Sequence, residues 1–144
     1  MVDRMKTLYT AEALATGDGR NGRVVTGDGS LAFDLAVPKE MGGPGGGANP
    51  EQLFAAGYAA CFHSALQAVA RSQKVTLSDT SVGASVSIGP DDSGGFRLAV
   101  RLEVVVPHLE HEQAQALADA AHQVCPYSNA TRGNIDVTVE VSDD

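Results

Sequence analysis

Three stretches in the second half of the chain alternate apolar and polar residues. "SVGASVSIG" sets Val82, Ala84, Val86 and Ile88 on one side, and "GFRLAVRLEVVVP" does the same with Phe96, Leu98, Val100, Leu102 and Val104. "NIDVTVEV" repeats the pattern with Ile135, Val137, Val139 and Val141. Successive side chains of a strand point to opposite faces, so each stretch predicts a strand with one buried face. The first two form a hairpin across "GPDDSGG", which is rich in turn formers. Between the second and third strands the apolar residues change to helical spacing. In "LEHEQAQALADAAHQV" the residues Ala114, Leu117, Ala118, Ala121 and Val124 share one side. That helix stops at Cys125, because Pro126 disfavours helical geometry in the residue before it.

Residues 50–72 follow another pattern. "PEQLFAAGYAACFHSALQAVARS" has almost no charge between Glu51 and Arg71, which predicts a central helix covered on most sides. Its start is marked by Asn49 as N-cap, Pro50 at the first helical position and Glu51 beside the positive end of the helix dipole. Ala56, Gly57, Ala60, Ser64 and Ala68 recur at three- and four-residue steps. Such a face lets another backbone, including that of a second copy of the chain, pack closely.

Ahead of this helix the chain reads as β. "KTLYTAEALATG" and "SLAFDLAVP" are strand-like runs separated by "GDGRNGRVVTGDG", whose Asp-Gly and Asn-Gly pairs tolerate the positive φ of tight turns. "PKEMGGPGGGANPEQ", with five glycines, predicts a flexible loop. Strands grouped around helices without a repeating β-α-β order give an α+β class in one domain. Its parts are an N-terminal β region (about 5–37), a glycine-rich loop (about 38–48), a central helix (about 50–72) and a C-terminal β-β-α-β region (about 79–142).

Composition narrows the partners. At 144 residues and 43% apolar the chain can bury one core, and a formal charge of −8 argues against nucleic acid and against anionic membrane surfaces. It has no run of about 18 apolar residues, and "MVDRMKTLYT" lacks the apolar core of a secretory signal, so a cytoplasmic protein is expected. Thiols stay reduced there. The two cysteines, Cys61 and Cys125, are therefore either inert or joined only transiently during chemistry.

An isolated cysteine in an apolar helix is ordinarily core. A reactive one must be a thiolate, and Cys61 lies roughly 15 Å along the axis from the helix start, too far for the dipole to lower its pKa. A cationic side chain must do so, and Arg20, Arg23, Arg71 and Arg132 all remain open by spacing. Cys61, His63, His108, His111, His122 and Cys125 do not fall at zinc-binding intervals, and there is no Cys-x-x-Cys or Gly-x-Ser-x-Gly. "GGPGGG" is not followed by the lysine of a phosphate loop. Phe54, Tyr58, Phe62 and Tyr127 are candidates to line an apolar approach to Cys61, and each singly also reads as plain core.

Three stretches, "LYTAEALATGDGRNGRVV", "NPEQLFAAGYAACFHSAL" and "VCPYSNATRGNIDVTVEV", closely resemble the organic hydroperoxide resistance (Ohr) family of the wider Ohr/OsmC group, from about Met5 to Val141. The resemblance implies an OsmC-like fold, with antiparallel sheets wrapped around a long central helix in an intertwined homodimer. It implies a thiol peroxidase that reduces alkyl or fatty-acid hydroperoxides without a bound cofactor or metal, recycled by dihydrolipoamide or a lipoylated protein. Residue by residue, Cys61 matches the peroxidatic cysteine and Cys125 the resolving one, while Arg20 in "GDGR" and Glu51 in "NPEQ" match the activating pair. On one continuous helix Glu51 and Cys61 would stand about 15 Å apart, so the Glu51 serving a given Cys61 is expected from the other protomer. The competing expectations are a peroxidase of the OsmC branch, and a non-catalytic redox switch in which Cys61–Cys125 oxidation reshapes a partner surface.

Overall fold

The computed structural model describes residues 5–142, and the chain forms two compact units divided between Pro50 and Glu51.

The N-terminal unit is an antiparallel meander of β1 (Ala13–Thr16), β2 (Arg23–Thr26) and β3 (Ala32–Asp34), in which Ala15 pairs with Val24 and Val24 with Phe33. β1 and β2 are joined by a 3-10 turn at Gly19–Asn21. At Gly22 an added Cβ would lie 2.1 Å from the Thr16 carbonyl oxygen, so this turn closes only around a glycine. Two sequence expectations are corrected here. "RVV", read as part of a separator, is a strand, because it finds ladder partners on both sides. The first run is shorter than its composition implies: residues 5–12 lie outside β1, with Leu8 and Tyr9 91% and 79% exposed. A strand lasts only while its amides find a partner, and β2 offers four residues.

The glycine-rich stretch is also more ordered than expected. Ala36 N–H donates to Ala48 O at 2.9 Å, Gly45 N–H to Val37 O at 2.9 Å, and a 3-10 turn occupies Lys39–Met41. A Cβ at Gly43 would meet Val37 O at 2.2 Å, so the glycines serve close backbone packing as well as turning.

The C-terminal unit contains α1 (Pro50–Ser72), β4 (Ser81–Pro90), β5 (Phe96–Val105), α2 (His111–Val124), α3 (Pro126–Thr131) and β6 (Val137–Ser142). The sheet order is β4-β5-β6. Three cross-strand rows form its buried face: Val82, Val104 and Val141; Ala84, Leu102 and Val139; Val86, Val100 and Val137. On these rows pack Tyr58, Phe62, Ala65, Leu66 and Val69 of α1, and Ala114, Leu117, Ala118 and Ala121 of α2. The other face is polar, with Arg101 bonded to Glu140 at 2.7 Å.

The period-two reading of these strands holds, with exceptions in direction and reach. The expected antiparallel sheet is mixed: β4 and β5 are antiparallel, but β6 runs parallel to β5 because α2 and α3 carry the chain back to the end where β5 began. Phe96 is 67% exposed and Val124 54% exposed, since each lies at the end of its element, beyond what covers the middle. The helix α3, absent from the β-β-α-β expectation, starts with Pro126 at its first position.

The central helix has the predicted bounds. It is not covered on most sides within one chain: Tyr58, Phe62, Ala65, Leu66, Val69 and Ala70 are buried, while Ala56, Ala60, Ser64 and Ala68 are exposed. By length and composition alone it would suffice to cross a bilayer, at a mean hydropathy of 1.3 over its most apolar window. Here its large apolar side chains fill the core.

Candidate active site

Two elements bring the sulfurs together. Cys61 sits on α1 beside the core residue Phe62 and is half-buried. Cys125 is the single residue between α2 and α3, with φ −65° and ψ 125°, and it is fully buried. Both are free thiols, and Cys125 Sγ lies 3.4 Å from Cys61 Sγ. A disulfide requires about 2.05 Å, so closure asks for sulfur movement of little more than an ångström.

The electrostatics of Cys61 are divided. Burial, the largest influence, pushes its thiol up; the backbone N–H of Tyr127 donates to the sulfur and pulls it down, and Cys125 pushes it up again. The surroundings within the C-terminal unit thus favour the neutral thiol.

Of the cations open by sequence, three have other positions. Arg23 Nη1 pairs with Asp34 Oδ1 at 2.7 Å on the meander. Arg71 is exposed in the last turn of α1. Arg132 donates to the His122 carbonyl and to Asn129 Oδ1, tying α2 to α3. Arg20 lies half-buried in the Gly19–Asn21 turn of the N-terminal unit, and Glu51 half-buried in the first turn of α1, on the same unbroken helix as Cys61.

Phe54, Tyr58 and Tyr127 form a ring cluster with centroids 5.6 to 5.8 Å apart. Gly57 makes room for it: a Cβ there would meet Tyr127 Oη at 2.7 Å. The four aromatic candidates do not all face outward. Tyr58 and Phe62 are fully buried and act as core, whereas Phe54 is half-buried and Tyr127 is 37% exposed. Phe54 also borders an open groove of ≈ 540 Å³ with Phe96, Leu98, Ala130 and Ile135.

Sequence reasoning missed a polar group beside this cluster. Tyr58 Oη is 2.9 Å from Ser128 Oγ and 3.1 Å from Thr131 Oγ1, and Ser128 Oγ is 2.7 Å from His122 Nδ1. Its signal was the i, i+3 spacing of Ser128 and Thr131 on a helix opened by Pro126. His63, whose plain reading was a partly buried polar residue, bonds Thr80 Oγ1 at 2.8 Å. Among the described residues no group of three or more His, Cys, Asp or Glu is placed to hold a metal ion.

Residues 43–140 match the family model described as OsmC-like protein. The organic hydroperoxide resistance protein of Xanthomonas axonopodis pv. citri (strain 306) is 54% identical over 144 residues, covering 99% of this chain and all of the relative. The chain belongs to the Ohr/OsmC family. Another Ohr relative, the organic hydroperoxide resistance protein OhrB of Bacillus subtilis (strain 168), is 48% identical, over 93% of this chain and 98% of its own. Among solved structures, an organic hydroperoxide resistance protein OsmC from Legionella pneumophila superposes with a TM-score of 0.92 at 55% identity, covering 95% of this chain and 99% of that one. The α+β architecture is thus that of Ohr proteins, and the expectation drawn from the two cysteine motifs holds at the level of family and fold.

Proposed function

We propose that this Ohr protein is a cysteine-based peroxidase that reduces organic hydroperoxides to alcohols. The observation that carries this is the 3.4 Å separation of Cys61 Sγ from Cys125 Sγ, in a family whose close relatives are named for organic hydroperoxide resistance. In the first step the Cys61 thiolate attacks the peroxide, the O–O bond breaks, and the alkoxide leaves to take a proton as alcohol. Cys61 becomes a sulfenic acid. Cys125 then displaces its hydroxyl: the S–S bond forms, the S–O bond breaks, and water leaves. A dithiol reopens the disulfide by exchange, and dihydrolipoamide or a lipoylated protein is the reductant of this scheme.

Arg20, permanently charged, supplies what the C-terminal unit does not: it stabilises the Cys61 thiolate and bonds the peroxide oxygens as charge grows on the leaving one. Glu51 orients that guanidinium as a bidentate partner. Because Glu51 and Cys61 share one unbroken helix, about 15 Å apart along its axis, the Glu51 that serves a given Cys61 comes from a second protomer. The exposed small residues Ala56, Ala60, Ser64 and Ala68 on α1 support such a homodimer. Phe54 and Tyr127 favour an alkyl or fatty-acid tail over hydrogen peroxide. Reduced thiols of this kind suit the cytoplasm.

The test is consumption of cumene hydroperoxide with dihydrolipoamide by wild type, Cys61→Ser and Arg20→Ala. Wild type turns over, Cys61→Ser is inactive, and Arg20→Ala is slowed by about two orders of magnitude or more in the first step. Cys61→Ser consuming peroxide as fast as wild type would overturn the proposal.

A further inference from the structure

A buried polar chain joins the corner that carries Cys125 to the helix that carries Cys61, and neither sulfur belongs to it. Its members are His122 in the last turn of α2, Ser128 and Thr131 on α3, and Tyr58 on α1. Tyr58 and Ser128 are fully buried and Thr131 is 6% exposed, so water does not compete for the bonds among these three, while His122 at the end of this polar chain is half-buried.

The corner needs such ties. α2 and α3 meet at one extended residue, Cys125, and α3 spans only six residues, too few to hold a direction by itself. The His122 Nδ1 to Ser128 Oγ contact of 2.7 Å bridges the corner, and Arg132 reinforces it by donating to the His122 carbonyl. The Tyr58 Oη to Ser128 Oγ contact of 2.9 Å then fastens α3 to α1, one turn before Cys61. Ser128 is the only member bonded by its side chain to both His122 and Tyr58, and a hydroxyl can serve two partners by donating to one and accepting from the other.

We propose that Ser128 is a positioning residue for disulfide closure: held between His122 and Tyr58, it aims Cys125 at the oxidised Cys61. This rests on the peroxidatic and resolving roles given above to Cys61 and Cys125. Closure competes with a second peroxide. If Cys125 displaces hydroxide from the sulfenic sulfur first, the products are a disulfide and water; if a second hydroperoxide reacts first, Cys61 becomes a sulfinic acid, the peroxide becomes alcohol, and the site is lost. A displacement on the order of an ångström slows an aligned reaction by about a hundredfold, so the tether decides that partition.

The experiment mixes reduced protein rapidly with cumene hydroperoxide and follows two steps, loss of the Cys61 thiol and formation of the disulfide, with intact mass giving the sulfinic fraction. In Ser128→Ala the first step stays within about twofold of wild type, closure slows by about ten- to a hundredfold, and the sulfinic fraction rises. His122→Leu behaves the same way, while His122→Asn, which keeps a polar atom near the Nδ1 position, restores closure. A purely structural role would lower thermal stability and leave the ratio of the two steps unchanged. Closure in Ser128→Ala within about twofold of wild type, with no added sulfinic acid, overturns the proposal. If Ser128→Ala does not fold, the contrast between His122→Leu and His122→Asn decides in its place. If wild type itself forms no Cys61–Cys125 disulfide, the underlying mechanism falls and the proposal with it, an outcome distinct from wild type closing and Ser128→Ala matching it.

Discussion

Cys125 Sγ rests 3.4 Å from Cys61 Sγ although 64 positions separate the two in the chain. Under the proposed mechanism the resolving thiol is therefore already at the site when the peroxide arrives. Cys125→Ser is expected to carry out one round of reduction at the wild-type rate and then lose activity as Cys61 over-oxidises. Quenched turnover followed by mass spectrometry checks this, and sustained turnover of the variant with dithiol would contradict it.

The Cys61 thiol is held above its ordinary value of 9.0, first by burial, and His122 is held below its ordinary 6.5, first by burial and then by Arg132. The signs are opposite. The raised thiol adds stability below the unfolded value, lost as pH rises through the folded one; the lowered imidazole adds stability above its unfolded value, lost as pH falls through the folded one. Denaturant unfolding from about pH 5 to about pH 10 should therefore show both an alkaline limb, flattened in Cys61→Ala, and an acid limb, flattened in His122→Asn.

Under the proposed mechanism Arg20 opposes the burial that raises Cys61. The alkylation of Cys61 by iodoacetamide, which reads the thiolate, should move to higher pH in Arg20→Ala. An unchanged profile would leave Arg20 without a role in activation.

The proposal that a second protomer supplies Glu51 to Cys61 has a direct test in mixed dimers. Glu51→Ala and Cys61→Ser homodimers are each expected to be impaired, yet unfolding and refolding them together should restore activity, because the mixed dimer unites an intact Cys61 with the other chain's Glu51. Pairing within one chain predicts no recovery.

Gly57 is filled by a neighbour's ring: its added Cβ would sit 2.7 Å from Tyr127 Oη and 3.2 Å from two ring carbons. Gly57→Ala should cost about 1 kcal/mol in urea unfolding as the ring is displaced. The cost should shrink in the Tyr127→Ala background, a coupling that a double-mutant cycle measures.

Two residues placed on the same inward row by periodicity behave differently. Leu102 is fully buried, and Leu102→Ala should cost about 2–5 kcal/mol, whereas Phe96, 67% exposed, should lose no more than about 0.5 kcal/mol on change to Ala. Alternation gives the face of a side chain but does not say how far the layer above extends. The same reason separates Ala121, buried, from Val124, exposed at the end of its helix.

Much of the frame was legible in short stretches of chain. The bounds of α1, the faces of β4, β5 and β6, and the stop of α2 before Pro126 follow from spacing, capping and proline geometry, which act between near neighbours. The motifs around Cys61 and Cys125 pointed to the Ohr/OsmC family. What lay outside reach depended on distant partners. β2 formed within a turn-rich stretch because two strands flank it, β6 turned parallel because of the path through α2 and α3, and Ser128 found Tyr58 70 positions away. Local pattern specifies which residues prefer burial or turning. Only the folded chain decides which buried groups meet, because the free energy of a sulfur contact or a shielded hydrogen bond exists only once both partners have been brought together.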